Sequence, residues 1–139
     1  MMLVHATAVA IGPRAVLLTG ASGCGKSDLA LRLIDRGAQL IADDQVWLDA
    51  LLHASPPATL AGLIEVRGIG VVGLPWTEGV RIALVVDLDT APARMPEPAF
   101  RRFAAIAVPC VALAAFEASA ALKVEQALKR WAGAVETAP

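Results

Sequence analysis

The fold is indicated by one octapeptide, Gly20-Ala21-Ser22-Gly23-Cys24-Gly25-Lys26-Ser27. It fits the phosphate-binding loop pattern G-x-x-x-x-G-K-S in full. Glycines let such a loop curl, so that successive backbone N–H groups face phosphate oxygens. In this pattern Lys26 reaches the outer phosphates, and the Ser27 hydroxyl is placed to ligate Mg²⁺. The sequence therefore predicts that all eight residues bind a phosphate-bearing cofactor.

The residues on either side of this loop support the same prediction. Ala15–Thr19 is a continuous apolar run of strand length, suited to a buried position in a sheet. From Lys26 to Arg36 the apolar residues recur on one helical face, and Gly37 is placed to end the helix. The loop thus follows a strand and precedes a helix whose positive dipole end can face an anion. This context favours a true phosphate-binding loop over a chance match to the pattern. The alternative is a glycine-rich turn without a ligand.

The rest of the chain alternates between strand-like and helical segments. Further strands are predicted at Val4–Ile11, Leu40–Ala42, Val46–Leu48, Leu51–His53 and Arg81–Leu88, with a proline-rich loop at Ala91–Pro98. Near the C-terminus one helical face is formed by Ala121, Val124, Leu128 and Trp131. This alternation predicts an α/β fold.

Composition excludes several classes of protein. The 139 residues suit a single domain, 57% are hydrophobic and 18% are charged, so the chain has enough apolar groups to fold. The net charge of −1 gives no field that would favour nucleic acid or a membrane surface. No signal peptide is visible, and Cys24 and Cys110 lack metal-site spacing, so we expect a cytoplasmic protein with reduced thiols. Asn is absent from the sequence, which excludes the Asn-Lys-x-Asp loop that reads guanine.

A pair of carboxylates, Asp43 and Asp44, directly follows the predicted strand Leu40–Ala42. If that strand lies next to the phosphate-loop strand, both carboxylates reach the carboxyl edge of the sheet, where ligands bind in open α/β folds. One could hold Mg²⁺ and the other could accept a proton from an attacking hydroxyl. The alternative is a solvated turn, in which Asp is common.

Two weaker signals accompany these motifs. In the segment Glu65–Gly70, period-two spacing places Glu65 and Arg67 on one face of a strand, where both could meet a metal–phosphate cluster. Taken alone, the segment is better explained as a surface ion pair before a glycine turn. His5 lies between small apolar residues, a setting more typical of a structural histidine.

Together these segments resemble the catalytic domain of the bacterial HPr kinase/phosphorylase family, which phosphorylates a serine of HPr, the phosphocarrier protein of the sugar phosphotransferase system. The resemblance runs through residues 4–5, 20–28, 36–44 and 63–70. It implies a P-loop-containing kinase domain with a mixed sheet and flanking helices, and ATP and Mg²⁺ as cofactors. The chain resembles a short form, a single domain over residues 1–139 without an N-terminal regulatory domain. Family members are typically hexamers, so a homo-oligomer is expected.

The resemblance also implies roles for individual residues. Lys26 would bind the phosphates, and Ser27 and Glu65 would ligate Mg²⁺. Asp43 would accept the proton of the serine hydroxyl and donate it in the reverse reaction. Asp44 would lie at the metal, through water.

Two further catalytic positions follow from the resemblance, and a third is missing. Arg67 lies in the segment that the family needs for both directions of the reaction, and His5 matches its catalytic histidine. The family's later Pro-Val-x-x-Gly-Arg-Asn segment has no match here, so its late arginine has only Arg94, Arg101 and Arg102 as candidates, by proximity in the sequence.

Three functions remain open from the sequence. The first is a Mg²⁺–ATP-dependent protein serine kinase acting on HPr, with or without the phosphorylase reaction. The second is a nucleotide-binding regulatory module with little turnover, for which the missing arginine argues. The third is a small-molecule kinase, although a chain of this length leaves little room for the lid such enzymes use.

Overall fold

The structure is a computed structural model that describes residues 1–132 and 136–137. Within these residues it contains eleven β-strands, two α-helices and one short 3-10 helix. The strands are β1 (Met2–Ile11), β2 (Arg14–Thr19), β3 (Gln39–Ala42), β4 (Gln45–Leu48), β5 (His53–Ser55), β6 (Leu63–Val66), β7 (Gly70–Gly73), β8 (Val80–Asp87), β9 (Ala99–Phe103), β10 (Ile106–Ala112) and β11 (Glu136–Thr137). The helices are α1 (Lys26–Asp35) and α2 (Ala120–Trp131), and the 3-10 helix spans Ala58–Leu60.

One mixed sheet organises the fold. Its strand order is β11-β10-β8-β2-β1-β4-β5, with β3 paired to β1 and β9 paired to β10. The strands β2, β8 and β10 are parallel neighbours, whereas β1 is antiparallel to β2, β3 and β4. A second, two-stranded sheet is formed by the hairpin β6–β7. The α/β fold with a mixed sheet and flanking helices is thus confirmed.

Apolar side chains cover both faces of the central strands. Along β2, Val16 and Leu18 belong to one buried cluster, and Ala15 and Leu17 belong to another on the opposite face. This alternation follows from the period of two in a strand. Helices α1 and α2 pack on the first face, which explains why β2 is a continuous apolar run rather than an alternating one.

The two helices have the apolar faces that their sequences predict. The buried positions of α1 include Leu29, Ala30 and Leu33, and those of α2 include Val124 and Leu128. Helix α1 ends one residue earlier than predicted, at Asp35. Gly37 has φ 109°, and its N–H donates to the Ile34 carbonyl, the arrangement that a glycine after a helix end provides.

The position of β3 differs from the prediction. It does not neighbour the phosphate-loop strand β2, because β1 lies between them. Since β1 is antiparallel to both, β2 and β3 still run in the same direction and end at the same edge of the sheet. Asp43, which follows β3, therefore reaches the edge where the phosphate loop begins.

Other differences come from turns that the sequence pattern does not mark. The strand predicted at Leu51–His53 lies later, at His53–Ser55, because Leu52 has φ 65° in a turn that the Asp49 carboxylate closes through the N–H groups of Leu51 and His53. The hairpin β9–β10 was not predicted, and its turn includes Ala104 with φ 53°. The loop predicted at residues 91–98 is confirmed.

Candidate active site

The phosphate-binding loop connects β2 to α1, as its sequence predicts. Gly20, Gly23 and Gly25 have φ values of 150°, 83° and 100°, a region that side chains disfavour. Helix α1 begins at Lys26, and in the described structure no side-chain hydrogen bond caps this N-terminus, the end of a helix at which N–H groups can bind an anion. The Lys26 side chain is only 6% exposed, and its Nζ donates to the carbonyls of Gly20 at 2.8 Å and Ala21 at 3.1 Å.

Asp43 lies in the corner between β3 and β4 and is buried against the phosphate loop. The Ser27 hydroxyl donates to Asp43 Oδ1 at 2.6 Å, and the Thr7 hydroxyl donates to the same oxygen at 2.9 Å. The Glu65 N–H donates to Asp43 Oδ2 at 2.9 Å. Both oxygens of this carboxylate are therefore occupied by hydrogen bonds that connect α1, β1 and β6.

Asp44 has the opposite surroundings. Its backbone has φ 69°, and this bend turns its side chain away from Asp43 toward solvent, where the side chain is 61% exposed. Asp44 Oδ1 lies 3.3 Å from Nδ1 of His5, whose own side chain is 49% exposed. The bend is held from β1, because the Asp44 N–H donates to Thr7 Oγ1 and its carbonyl accepts the Ala6 N–H. A left-handed conformation is uncommon outside glycine but is tolerated by Asp.

The hairpin β6–β7 brings Glu65 and Arg67 to the same site, although not as predicted. The strand β6 ends at Val66, and Arg67 begins a turn that continues through Gly68, which has φ 85°. The two side chains therefore do not share one strand face. Both nevertheless line the cleft in front of the phosphate loop.

These elements enclose a cleft of about 460 Å³, a volume in the usual range for a ligand site. Its walls contain Ser27 and the carboxylates of Asp43, Asp44 and Glu65, together with Lys26. Apart from the three candidates for a late arginine, every sequence-predicted site residue lines this cleft except His5 and three residues of the loop (Gly20, Ala21 and Cys24). His5 contacts the cleft residue Asp44.

The oxygen donors of the cleft fit magnesium. Ser27 Oγ and Asp43 Oδ1 lie 2.6 Å apart, so one cation could contact both groups, directly or through water. Within the described part of the chain no three His, Cys, Asp or Glu side chains converge as a metal cage. Mg²⁺ is usually held by one or two protein oxygens, with water and substrate phosphates completing its shell.

Two functional neighbours were missed by sequence reasoning. Thr7 is fully buried in β1 and links Asp43 to Asp44; its signal is a polar residue at an otherwise apolar position of the strand. Asp89 follows β8, and both of its carboxylate oxygens accept the Ala21 N–H at 3.0 Å, which fixes the start of the phosphate loop. Its signal is the pair of acids, Asp87 and Asp89, at the end of an apolar strand.

The turn after β8 is stabilised by Asp87. Burial opposes the ionisation of this carboxyl, but hydrogen bonds from the Thr90 hydroxyl and from the N–H groups of Asp89 and Thr90 outweigh it. The result is a pKa below the usual value for Asp87. The turn thus orients Asp89 toward the phosphate loop.

The candidates for a late arginine lie outside the cleft. Arg94 is exposed in the loop at residues 91–98, and Arg101 and Arg102 are exposed on β9. The guanidinium of Arg101 lies 5.2 Å from the centre of the Phe103 ring. Among the described residues that line the cleft, Arg67 is the one arginine.

Helices long and apolar enough to span a bilayer do not occur among the described residues. Residues 1–91 match the sequence model of the family described as HPr Serine kinase C-terminal domain. The HPr kinase/phosphorylase of Clostridium tetani (strain Massachusetts / E88) is 39% identical over 89 residues, which cover 62% of this chain and 28% of that protein. The corresponding protein of Geobacillus sp. (strain WCH70) is 38% identical over 97 residues, which cover 62% of this chain and 31% of that protein.

A solved structure agrees with these sequence relatives. The Hpr(Ser) kinase/phosphatase from Coxiella burnetii is 28% identical and superposes with a TM-score of 0.79, covering 94% of this chain and 95% of that chain. The aligned region spans about 30% of the length of the curated relatives named above. The sequence model covers more than half of the chain and includes the phosphate loop, the paired aspartates and the hairpin with Glu65 and Arg67. The chain therefore belongs to the HPr serine kinase C-terminal domain family.

Proposed function

We propose that this chain is a Mg²⁺–ATP-dependent protein kinase that transfers a phosphoryl group to a serine hydroxyl of HPr. The observation that supports this most directly is the contact between Ser27 of the phosphate loop and the buried Asp43, beside the exposed pair of His5 and Asp44. A buried oxygen pair at the loop suits a metal, and an exposed carboxylate next to it suits an acceptor hydroxyl. The names of the relatives supply HPr as the acceptor.

The phosphate groups of ATP would be held by the loop itself. The N-terminus of α1 directly follows the loop glycines, and Lys26 Nζ donates to the carbonyls of Gly20 and Ala21 at the start of the loop. Lys26 would exchange its bonds to the Gly20 and Ala21 carbonyls for phosphate oxygens. These donors stabilise the charge that develops on the transferring group, the largest contribution that a protein makes to phosphoryl transfer.

Ser27 and Asp43 would hold Mg²⁺, with Glu65 as the next carboxylate in the cleft. When bound, the ion would neutralise negative charge on the triphosphate. The hydrogen bonds from Thr7 and from the Glu65 N–H fix the Asp43 carboxylate in place. The family resemblance assigned Asp44 to the metal and Asp43 to the proton, but burial and contacts favour the reverse.

Asp44 is therefore our choice for the proton acceptor. It is exposed, its carboxylate contacts His5, and an incoming serine side chain can reach it. As the serine oxygen bonds to the γ-phosphorus, the bond from phosphorus to the bridging oxygen breaks, ADP leaves, and Asp44 takes the hydroxyl proton. His5 would orient Asp44. In the reverse reaction, Asp44 would return the proton to the serine while inorganic phosphate accepts the phosphoryl group.

A second candidate is a nucleotide-binding regulatory module with little turnover. The observation that favours it is that, among the described residues, Arg67 is the one arginine that lines the cleft. Phosphoryl transfer often uses an arginine to stabilise the transition state. If Arg67 does not serve both the nucleotide and the transition state, binding would occur without transfer.

The test is the intact mass of purified HPr after incubation with this protein, ATP and Mg²⁺. HPr whose acceptor serine is replaced by Ala serves as the matched substrate control, and Lys26→Met serves as the enzyme control. We expect one phosphate on HPr and none in either control. Binding of ATP without any change in the mass of HPr would contradict the kinase and favour the regulatory module.

A further inference from the structure

An aromatic ring lies against the phosphate loop at the end of the cleft away from the paired aspartates. The Phe116 side chain is 65% exposed, yet it lines the cleft together with Leu31 of α1. A Cβ atom added to Gly25 would lie 3.0 Å from Cζ of Phe116 and 2.8 Å from Cβ of Ala115. The ring therefore contacts the last glycine of the loop, and most of the residue remains exposed.

The segment that bears this ring is anchored from α1. Arg32 donates to the carbonyls of Ala115 and Glu117, the residues on either side of Phe116. The same guanidinium pairs with Asp28 at 2.9 Å, so the anchor begins in the first turn of α1. The backbone on both sides of the exposed ring is thus held to α1.

The strand order of the sheet places Phe116 and Asp43 on opposite sides of the phosphate-loop strand. Phe116 follows β10, which is parallel to β8, and β8 is parallel to the phosphate-loop strand β2. The carboxyl ends of these strands meet at one edge, the usual place for a nucleotide in such sheets. Asp43 lies beyond β2 on the other side, after β3. If the outer phosphates of a nucleotide lie near Asp43, its base would extend to the other side of β2, toward Phe116.

We propose that the Phe116 ring is the surface on which the base of the bound nucleotide stacks, with Leu31 as its apolar neighbour. This inference rests on the proposed nucleotide-dependent function. An exposed ring attracts a base through its π-face, and stacking does not distinguish strongly among bases. The site would therefore accept nucleoside triphosphates with little selection among bases, through its apolar character rather than through hydrogen bonds to the base.

The test compares a nucleotide with a ligand that has phosphates and no base. Calorimetric titrations with Mg²⁺–ATP and with Mg²⁺–tripolyphosphate are made on the wild type, Phe116→Ala and Phe116→Trp. Phe100→Ala is the matched control, because Phe100 is 48% exposed on β9 and does not line the cleft. We expect Phe116→Ala to weaken ATP binding about 5- to 150-fold and to leave tripolyphosphate binding unchanged.

The other variants make the result specific. Phe116→Trp should bind ATP as the wild type does, since a larger ring still stacks, and Phe100→Ala should bind both ligands normally. Equal losses of ATP and tripolyphosphate in Phe116→Ala, or no loss of either, would overturn the stacking role while leaving the proposed function in place. Failure of the wild type to bind either ligand would overturn the proposed function, and the stacking role with it.

Discussion

Asp43 and Asp44 are neighbours in the sequence with different chemistry in the structure. The left-handed backbone at Asp44 turns one carboxylate into the protein, against Ser27, and leaves the next one in solvent beside His5. Strained residues of this kind persist where the surrounding structure holds them. Here Thr7 holds both, by donating to Asp43 and accepting from the N–H of Asp44.

Replacement of Thr7 by Val removes these two hydrogen bonds with little change in shape. The Asp44 N–H loses its acceptor and Asp43 loses a donor, so we expect the free energy of unfolding to fall by about 1–3 kcal/mol. Urea denaturation measures the change, and Thr7→Ser is the control that keeps the hydroxyl. A Thr7→Val protein within about 0.5 kcal/mol of the wild type would show that the corner does not depend on this residue.

Asp87 predicts how stability changes in acid. Hydrogen bonds in the folded state keep the pKa of Asp87 below its usual value. The ionised carboxylate therefore stabilises the folded state at pH values above that usual pKa. This contribution is lost as the pH falls through the lowered pKa, below about pH 4. We expect Asp87→Asn to lose less stability than the wild type between pH 7 and pH 3 in urea titrations. Parallel pH profiles for the two proteins would contradict this.

At the scale of single elements, α1 depends on the glycine that follows it. Gly37 has φ 109°, which allows its N–H and that of Ala38 to satisfy the last carbonyls of the helix. Among the described residues, no other atom lies within 4 Å of the place of a Cβ at this glycine. Any cost of substitution there is therefore a backbone cost and not a steric clash with a neighbour.

Replacement of Gly37 by Ala is expected to destabilise the protein by about 1–2 kcal/mol, the cost of a left-handed residue with a side chain. The matched control is Gly73→Ala, because Gly73 also has no described atom within 4 Å of its Cβ position but lacks the left-handed φ. Thermal unfolding should show a lower Tm for Gly37→Ala and almost no change in Tm for Gly73→Ala. Equal shifts for the two variants would mean that the backbone conformation is not the cause.

The elements that the sequence predicts best are those whose signals are local. The loop Gly20–Ser27, the apolar period of α1 and the run Ala15–Thr19 are readable within a few residues. β3 pairs with β1 rather than with β2. This pairing depends on residues far apart in the sequence, so no local pattern predicts it. The turn at Ala104 has no glycine or asparagine to mark it, so the hairpin β9–β10 was missed.

For the whole molecule, the central strands separate two buried clusters. Helices α1 and α2 cover one face, and the bent sheet formed by β1, β4, β5 and β8 encloses the other. The phosphate loop begins at the end of β2, and β2 is buried between these two clusters from Ala15 onward. The position of the loop therefore depends on packing on both faces.

Truncation of Leu17 tests the face that lies away from the helices. Leu17 is fully buried in the second cluster, so Leu17→Ala should lower the free energy of unfolding by about 2–5 kcal/mol. Leu122→Ala is the control, because Leu122 is exposed on α2 and should change stability by less than about 0.5 kcal/mol. Urea denaturation that gave similar values for both would mean that this second face does not form a packed core.

Which residues line the cleft was largely predictable, whereas their exposure and direction were not. Motif spacing and family resemblance pointed to Lys26, Ser27, the paired aspartates, Glu65 and Arg67. The burial of Asp43, the bend at Asp44 and the contact of Phe116 with Gly25 are properties of the folded chain. Roles that depend on exposure and direction therefore required the structure.

The most direct measurement is the rate of transfer to the HPr serine by the wild type, Asp43→Asn and Asp44→Asn over a range of Mg²⁺ concentrations. If Asp44 accepts the proton, Asp44→Asn should lower kcat by about 100-fold or more while ATP affinity and the Mg²⁺ requirement stay unchanged. Asp43→Asn should instead raise the Mg²⁺ concentration needed for half-maximal rate. The reverse pattern, with kcat lost in Asp43→Asn at every Mg²⁺ concentration and Asp44→Asn within about tenfold of the wild type, would contradict the assignment.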